Sequence, residues 1–124
     1  MTVKGVGIDI VEIDRVRNAL QKWGDIFENK ILTGEEISSK EKSSKGRVTF
    51  LAGRFAAKEA IFKSLGISIP YWQKLSILAG ERGEPVVKFR KEILKESKVK
   101  NVKRILVSIS HSKKYAVAQA LVLG

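Results

Sequence analysis

The chain has 124 residues, 44% of them hydrophobic, which favours a single domain over residues 1–124. It contains no cysteine, which excludes disulfides, a thiolate nucleophile and zinc–sulfur sites. No apolar run approaches the roughly 18 residues that cross a bilayer, and acidic residues begin at Asp9, unlike a secretory signal, so we expect a cytoplasmic protein with no membrane partner. The formal net charge of +11 favours anionic partners, among which nucleic acid, nucleotide cofactors and acidic proteins all stay open.

The chain begins with a predicted strand over residues 3–13, which are rich in Val and Ile. Alternation places apolar side chains on one face of this strand and Gly5, Gly7 and Asp9 on the other. Two glycines beside an acid leave room for another group to approach the backbone.

Three helices are predicted next. The first covers residues 15–23 with Asp14 as its N-cap, and a second, short helix covers residues 25–31. The third begins with a capping box, in which Thr33 is the N-cap and Glu36 occupies position N3.

The polar stretch at 38–46 predicts a frayed helix end and a loop. Residues 47–65 form the clearest helix, with Gly66 as its left-handed C-cap. Lys58 falls on the apolar arc of this helix and therefore needs an acidic or carbonyl partner, or must reach solvent. Glu59 lies on an adjacent stripe of small residues, a shape suited to a bound ligand.

The second half of the chain is predicted to be mostly strands. Strands at Leu75–Ala79 and Pro85–Phe89 are joined as a hairpin, followed by a short helix at 91–98 and further strands at 102–110 and Tyr115–Leu123. This order predicts an α+β fold, with an antiparallel sheet packed with a long central helix.

Asp9 and Glu59 are the leading candidates for chemistry. A carboxylate within an apolar strand costs stability unless it is paired, and Mg²⁺ takes one or two protein carboxylates together with water and phosphate oxygens. The two acids, with basic residues nearby, suggest a divalent metal holding a phosphorylated substrate. The structural alternative is that Asp9 pairs with a basic residue and Glu59 forms an i,i+4 surface pair with Lys63.

Arg54 and Lys63 are candidate phosphate ligands beside the metal, against the alternative of a solvated basic helix face. His111, the only histidine, follows a strand and is either a phosphate contact or acid–base group, or a half-buried side chain satisfied by backbone. No Walker loop or Gly-x-Gly-x-x-Gly motif is present.

Three segments of the chain form a recognisable set. They are Gly7-Ile8-Asp9-Ile10-Val11-Glu12, Phe50-Leu51-Ala52-Gly53-Arg54-Phe55-Ala56-Ala57-Lys58-Glu59-Ala60 with Lys63, and Val107-Ser108-Ile109-Ser110-His111-Ser112 followed by Tyr115-Ala116-Val117-Ala118. Together they resemble the holo-[acyl-carrier-protein] synthases, a family of 4′-phosphopantetheinyl transferases. They occur in the family order and span nearly the whole chain. The resemblance implies transfer of the phosphopantetheine arm of coenzyme A to a serine of apo acyl carrier protein, in fatty acid biosynthesis. It also implies an α+β fold and homotrimers with active sites between subunits.

The resemblance further implies roles for individual residues. Asp9 and Glu59 would be the magnesium ligands, with manganese able to replace magnesium, and Lys63 would neutralise the pyrophosphate, which makes these three the catalytic residues. The coenzyme A site would comprise Arg54, Lys63, Ser64, Gly66, Pro85, His111 and Ser112. Carrier-protein docking would use Arg15, Arg17 and Lys22, although Asp25 stands where relatives often have a basic residue. Proton removal from the carrier serine is left open between Glu59 and a water on the metal.

A basic nucleic-acid-binding module is the alternative, from charge alone. A phosphate-backbone binder gains nothing from acids such as Asp9 and Glu59, and the sequence has neither an aromatic-rich recognition strand nor zinc-finger spacing. We therefore expect no nucleic-acid partner.

Overall fold

The structure is a computed structural model that describes residues 1–40 and 46–124. Its elements are β1 (Val3–Glu12), α1 (Ile13–Trp23), α2 (Asp25–Ile31), α3 (Gly34–Lys40), α4 (Arg47–Leu65), a 3₁₀ turn (Trp72–Lys74), β2 (Leu75–Ala79), β3 (Pro85–Phe89), α5 (Ile93–Glu96), β4 (Arg104–His111) and β5 (Tyr115–Leu123). The predicted α+β class is confirmed. Most of the predicted loop at 38–46 lies outside the described residues.

The strands form two antiparallel sheets. β1, β5 and β4 make a three-stranded sheet in that order, and β2 and β3 form a separate hairpin. In the larger sheet Asp9 lies opposite Ala118, which in turn lies opposite Ile109. The helix α4 packs along one face of this sheet and carries more of the buried hydrophobic residues than any other described element.

The glycines of β1 allow α4 to approach the sheet closely. A Cβ atom on Gly7 would lie 1.9 Å from the carbonyl oxygen of Ala60, and one on Gly5 would lie 2.1 Å from that of Ser64. The group predicted to approach this strand is therefore the backbone of α4 itself. This contact fixes the register between β1 and α4 and so places Asp9 beside Lys63 of the helix.

Lys58 confirms the expectation that it needs polar partners. Its side chain is fully buried, and its Nζ donates to Oε1 of Glu36 at 2.6 Å, to the carbonyl oxygen of Ile31 at 2.7 Å and to that of Trp72 at 2.9 Å. The capping box is also confirmed, because Oε1 of Glu36 accepts the backbone N–H of Thr33 at 2.9 Å. Together these bonds tie the short helices to α4.

The start of α1 differs from the prediction. The helix begins at Ile13, its N-cap residue Glu12 makes no side-chain capping bond, and Asp14 lies in the first turn, where it forms a salt bridge with Arg17. Ile13 is buried in the core, so apolar packing extends the helix beyond the point where a cap was expected. Trp23, the last residue of the helix, is more than half exposed.

The second face of the three-stranded sheet is open in the single chain. Val6, Ile8 and Ile10 are 58%, 60% and 63% exposed, and Leu106 on β4 is also exposed. These side chains form a continuous apolar surface, since Val6 and Leu106 both lie opposite Leu121 on β5. The apolar neighbours of Asp9 along β1 are therefore exposed in the single chain, because α4 covers only one face of the sheet.

Within the described ranges, no helix has both the length and the apolar character needed to cross a membrane.

Candidate active site

A cavity of about 520 Å³ opens between β1, α1 and α4. Its charged lining residues are Asp9, Glu12, Arg15 and Glu59, and its aromatic lining residues are Phe27, Phe55 and Tyr115. Two of the three predicted catalytic residues thus share one concave surface with a residue of the predicted docking helix.

Asp9 is held by Lys63. The Nζ of Lys63 donates to Oδ1 of Asp9 at 2.9 Å and to the carbonyl oxygen of Ile8 at 3.0 Å. The Asp9 side chain is 15% exposed, whereas that of Lys63 is 54% exposed. The alternative in which Asp9 pairs with a basic residue therefore holds. The i,i+4 salt bridge between Glu59 and Lys63 is not formed, because the ammonium turns to β1.

Glu59 experiences an unfavourable environment for its charge. Partial burial raises the pKa of the Glu59 carboxyl, the negative charge of Asp9 raises it further, and the ammonium of Lys63 opposes the shift. Two carboxylates that repel each other at the mouth of one cavity favour the binding of a cation between them.

The chemistry of these donors fits a magnesium or manganese ion. Such ions prefer oxygen ligands and usually take one or two protein carboxylates, with waters and phosphate oxygens filling the remaining positions. Asp9 and Glu59 supply two carboxylates. The described residues contain no group of three or more His, Cys, Asp and Glu that could hold a metal. An ion here would therefore depend on water and substrate oxygens for most of its coordination.

Arg54 does not join this site in the single chain. It is nearly buried, its Nε donates to the carbonyl oxygen of Ile77 at 3.0 Å, and its guanidinium lies 4.5 Å from the centre of the Phe50 ring. Burial lowers its pKa, and the charge of Glu36 partly opposes this effect. Nine residues are two and a half helical turns, so Arg54 and Lys63 project from opposite sides of α4. In the single chain, Arg54 therefore does not lie with Lys63 beside Asp9, where the sequence predicted both as phosphate ligands next to the metal.

Ser64 and Gly66 close the end of α4. The Ser64 side chain is buried, and its hydroxyl donates to the carbonyl oxygen of Ile61 at 2.6 Å. The hydroxyl hydrogen of Ser64 is therefore already used, and its contact with coenzyme A stays a prediction. Gly66 has a left-handed backbone conformation, with φ 70°. A Cβ atom at this position would lie 3.0 Å from the Cβ of Lys98, whose side chain covers the glycine. Pro85 is the first residue of β3.

His111 and Ser112 lie at the other edge of the sheet. His111 is the exposed last residue of β4, one residue beyond the predicted strand end, and lies opposite Ala116 on β5. The Ser112 hydroxyl oxygen accepts the backbone N–H of Tyr115 at 3.2 Å and so stabilises the β4–β5 turn. Because β5 separates β4 from β1, the chain does not itself bring His111 to Asp9.

The three predicted docking residues are exposed on α1, but their partners differ. Arg17 forms a salt bridge with Asp14, and the Nζ of Lys22 lies 5.0 Å from the centre of the Trp23 ring. Arg15 lines the cavity and forms no salt bridge within the described residues. Arg15 is therefore the most available cation of the three.

The unusual Asp25 at the start of α2 also has a partner. Its Oδ1 lies 2.7 Å from Nη2 of Arg47, whose guanidinium also contacts Oε2 of the buried Glu28 at 2.5 Å. These carboxylates raise the pKa of Arg47, chiefly through the hydrogen bond with Glu28. Asp25, which stands where relatives often have a basic residue, therefore helps to link α2 to α4.

Sequence reasoning did not identify the aromatic walls of the cavity. Phe55 on α4 both lines the cavity and stacks on Trp72, with ring centres 5.2 Å apart. Phe27 and Tyr115 come from α2 and β5. No local pattern marks these residues, because the cavity exists only where five separate elements meet.

The comparisons with known proteins point to one family. The sequence matches the model of the 4′-phosphopantetheinyl transferase superfamily over residues 5–120. It is 40% identical over 119 residues to the holo-[acyl-carrier-protein] synthase of Halothermothrix orenii, with 94% of each chain covered. The fold is similar to that of holo-[acyl-carrier-protein] synthase from Neisseria meningitidis, with a TM-score of 0.88 and 29% identity over 99% of this chain and 100% of that chain. It is also similar to the Bacillus anthracis synthase in complex with CoA (3′,5′-ADP), with a TM-score of 0.78 and 32% identity over 98% of this chain and 97% of that chain.

Proposed function

We propose which residues of this chain carry out phosphopantetheinyl transfer. The premise is that the chain belongs to the 4′-phosphopantetheinyl transferase superfamily. The protein is an enzyme that moves the 4′-phosphopantetheine group of coenzyme A to a serine of apo acyl carrier protein and releases adenosine 3′,5′-bisphosphate. One observation supports the placement of this reaction in the cavity. Asp9 from β1 and Glu59 from α4 meet at the cavity, and the Lys63 ammonium lies beside them.

Asp9 and Glu59 are proposed to hold the magnesium ion, or manganese in its place. When bound, such an ion supplies electrostatic stabilisation of the charge that develops on the phosphates. Lys63 places a second positive charge at the pyrophosphate. Glu59, with its raised pKa, is one candidate to accept the proton of the attacking serine, and a water at the site is the other.

The active enzyme is proposed to be a homotrimer with sites between subunits. The open apolar face of the sheet, formed by Val6, Ile8, Ile10 and Leu106, supports association, because soluble monomers rarely expose a continuous patch of this kind. The predicted coenzyme A residues Arg54, His111 and Ser112 lie away from the cavity of their own chain, so a neighbouring subunit is the natural source of such groups.

The carrier protein is proposed to dock on α1 beside the cavity. Arg15 both lies on this helix and lines the cavity, so a partner bound there would present its serine close to Glu59. The formal net charge of +11 favours encounter with an acidic protein and with an anionic cofactor. The single domain over 1–124 and the cytoplasmic location stay predictions.

Mass spectrometry of apo acyl carrier protein incubated with this protein, coenzyme A and magnesium tests the proposal. We expect the carrier to gain one phosphopantetheine, and the gain to disappear with a chelator and in Glu59→Gln. A Glu59→Gln variant with near-normal transfer would refute the proposed ligand set. A matched Glu81→Gln variant, with the change in the exposed β2–β3 loop, should transfer normally.

A further inference from the structure

We propose that Lys63 is a built-in counter-ion at the metal position. Its ammonium neutralises Asp9 while no divalent cation is bound, and it leaves Asp9 for the phosphate of coenzyme A when a cation binds. This inference rests on the proposed function, because it needs a divalent cation at Asp9 and Glu59.

The contacts of Lys63 place its charge on the strand rather than on its own helix. Its Nζ lies 2.9 Å from Oδ1 of Asp9 and 3.0 Å from the carbonyl oxygen of Ile8. Oxygens of this kind, a carboxylate and a backbone carbonyl, are also ligands for hard divalent cations. The ammonium and a metal ion therefore compete for the same carboxylate.

Lys63 is free to move, and Asp9 is not. Asp9 is 15% exposed on a central part of β1, where Gly5 and Gly7 hold the strand against α4. Lys63 is 54% exposed and carries a flexible four-carbon stem. An ion pair with so exposed a member contributes little stability. Its ammonium can therefore leave Asp9 at low cost and still reach an anion at the cavity mouth.

The exchange couples the binding of the metal ion to the binding of an anionic ligand. While Lys63 is bound to Asp9 and to the Ile8 carbonyl, it opposes metal binding, and two of its three N–H donors are already used. A cation that displaces it makes all three donors available, so metal and an anionic ligand are expected to strengthen each other's binding through Lys63. This coupling is distinct from the direct attraction between a metal ion and a phosphate, which does not require Lys63.

Manganese binding to the protein without coenzyme A is the primary test. We expect Lys63→Met to bind Mn²⁺ about two- to fivefold more tightly than the wild type, as measured by the electron paramagnetic resonance signal of free Mn²⁺. The matched control Lys4→Met removes one positive charge from an exposed position of the same strand and should leave the affinity within about 1.5-fold. Unchanged or weaker binding by Lys63→Met would overturn the proposal.

A second measurement separates displacement from simple charge repulsion. The ¹H–¹⁵N signal of the Lys63 ammonium, assigned with Lys63→Arg, should be visible in the metal-free protein and should broaden or shift when Mg²⁺ alone is added. A signal that Mg²⁺ leaves unchanged means that Lys63 stays on Asp9, and the proposal fails.

The same titrations distinguish this failure from failure of the proposed function. Wild-type Mn²⁺ binding that is lost in Asp9→Asn, together with unchanged binding in Lys63→Met, would refute only the counter-ion role. Wild-type protein that binds no Mn²⁺, or binds it equally well as Asp9→Asn, would refute the proposed metal site and the counter-ion role together.

Discussion

The Nζ of Lys58 lies 2.6 Å from Oε1 of Glu36, and both side chains are fully buried. The pair is completed by neutral groups, because two backbone carbonyls accept from Lys58 and the N–H of Ile77 donates to Oε2 of Glu36 at 2.9 Å. Burial lowers the pKa of Lys58, and the charge of Glu36 partly offsets this effect. Lys58 is next to Glu59 in α4 and Glu36 belongs to α3, so the pair fixes the helix that carries the site.

Lys58→Met should destabilise the fold strongly. The substitution leaves the Glu36 charge buried without its counter-ion, and breaking a buried pair in this way typically costs about 3–5 kcal/mol. Urea unfolding followed by circular dichroism measures the loss. The double variant Lys58→Met/Glu36→Gln should lose less than the sum of the two single variants, since both remove the same interaction. Additive losses would show that the two residues act independently.

Gly7→Ala should also destabilise the protein, through the contact between β1 and α4. A Cβ at Gly7 would lie 1.9 Å from the carbonyl oxygen of Ala60, so the strand and the helix must separate, at a cost of about 1–3 kcal/mol or more. Thermal unfolding of Gly7→Ala and of the control Gly34→Ala tests this. A Cβ at Gly34 meets nothing within 4 Å, so the control should retain wild-type stability. Equal stability of both variants would contradict the close approach.

Local sequence signals predicted most of the elements, because caps and turns depend on neighbouring residues. Thr33 with Glu36 marked the start of α3, Gly66 marked the end of α4, and both have the expected geometry. The same local reasoning failed at Ile13, where burial in the core extends α1. A capping preference of about 1 kcal/mol is comparable with or smaller than the gain from burying such a side chain.

The partners of the site residues were less predictable. Lys63 and Asp9 are 54 positions apart, and their contact depends on the register that the β1 glycines give to α4. Periodicity alone placed Lys63 equally near Glu59. Alternation along β1 identified its two faces, but only the fold shows that Ile8 and Ile10 are left uncovered in one chain.

The raised pKa of Glu59 gives a definite pH dependence of stability. Because the folded state binds the Glu59 proton more tightly than the unfolded state, this group lowers stability as pH rises from the ordinary glutamate value through the raised one. Glu59→Gln, which stays neutral, should therefore have a higher Tm than the wild type at pH 7, with the difference shrinking towards pH 4. Scanning calorimetry without metal measures it. A difference independent of pH would contradict the shift.

Arg15→Glu should impair use of the carrier protein far more than binding of coenzyme A. The side chain is exposed on α1 at the cavity, so reversing its charge should raise the carrier KM by about tenfold while the coenzyme A KM changes less than twofold. Lys100→Glu makes the same charge change at another exposed position and should alter the carrier KM less than twofold. If the two variants raise the carrier KM equally, docking depends on net charge rather than on α1.

Ile8→Lys tests the proposed association through the open sheet face. The side chain is 60% exposed in the single chain, so the monomer fold should tolerate a lysine, whereas a trimer would have to bury three new charges without partners. Light scattering coupled to size exclusion should show a trimer for the wild type and a monomer for the variant, with similar circular dichroism. Transfer activity should fall with the trimer, since the proposed sites lie between subunits. A variant that stays trimeric would place the interface on another surface, and a monomeric variant with full activity would show that one chain contains the complete site.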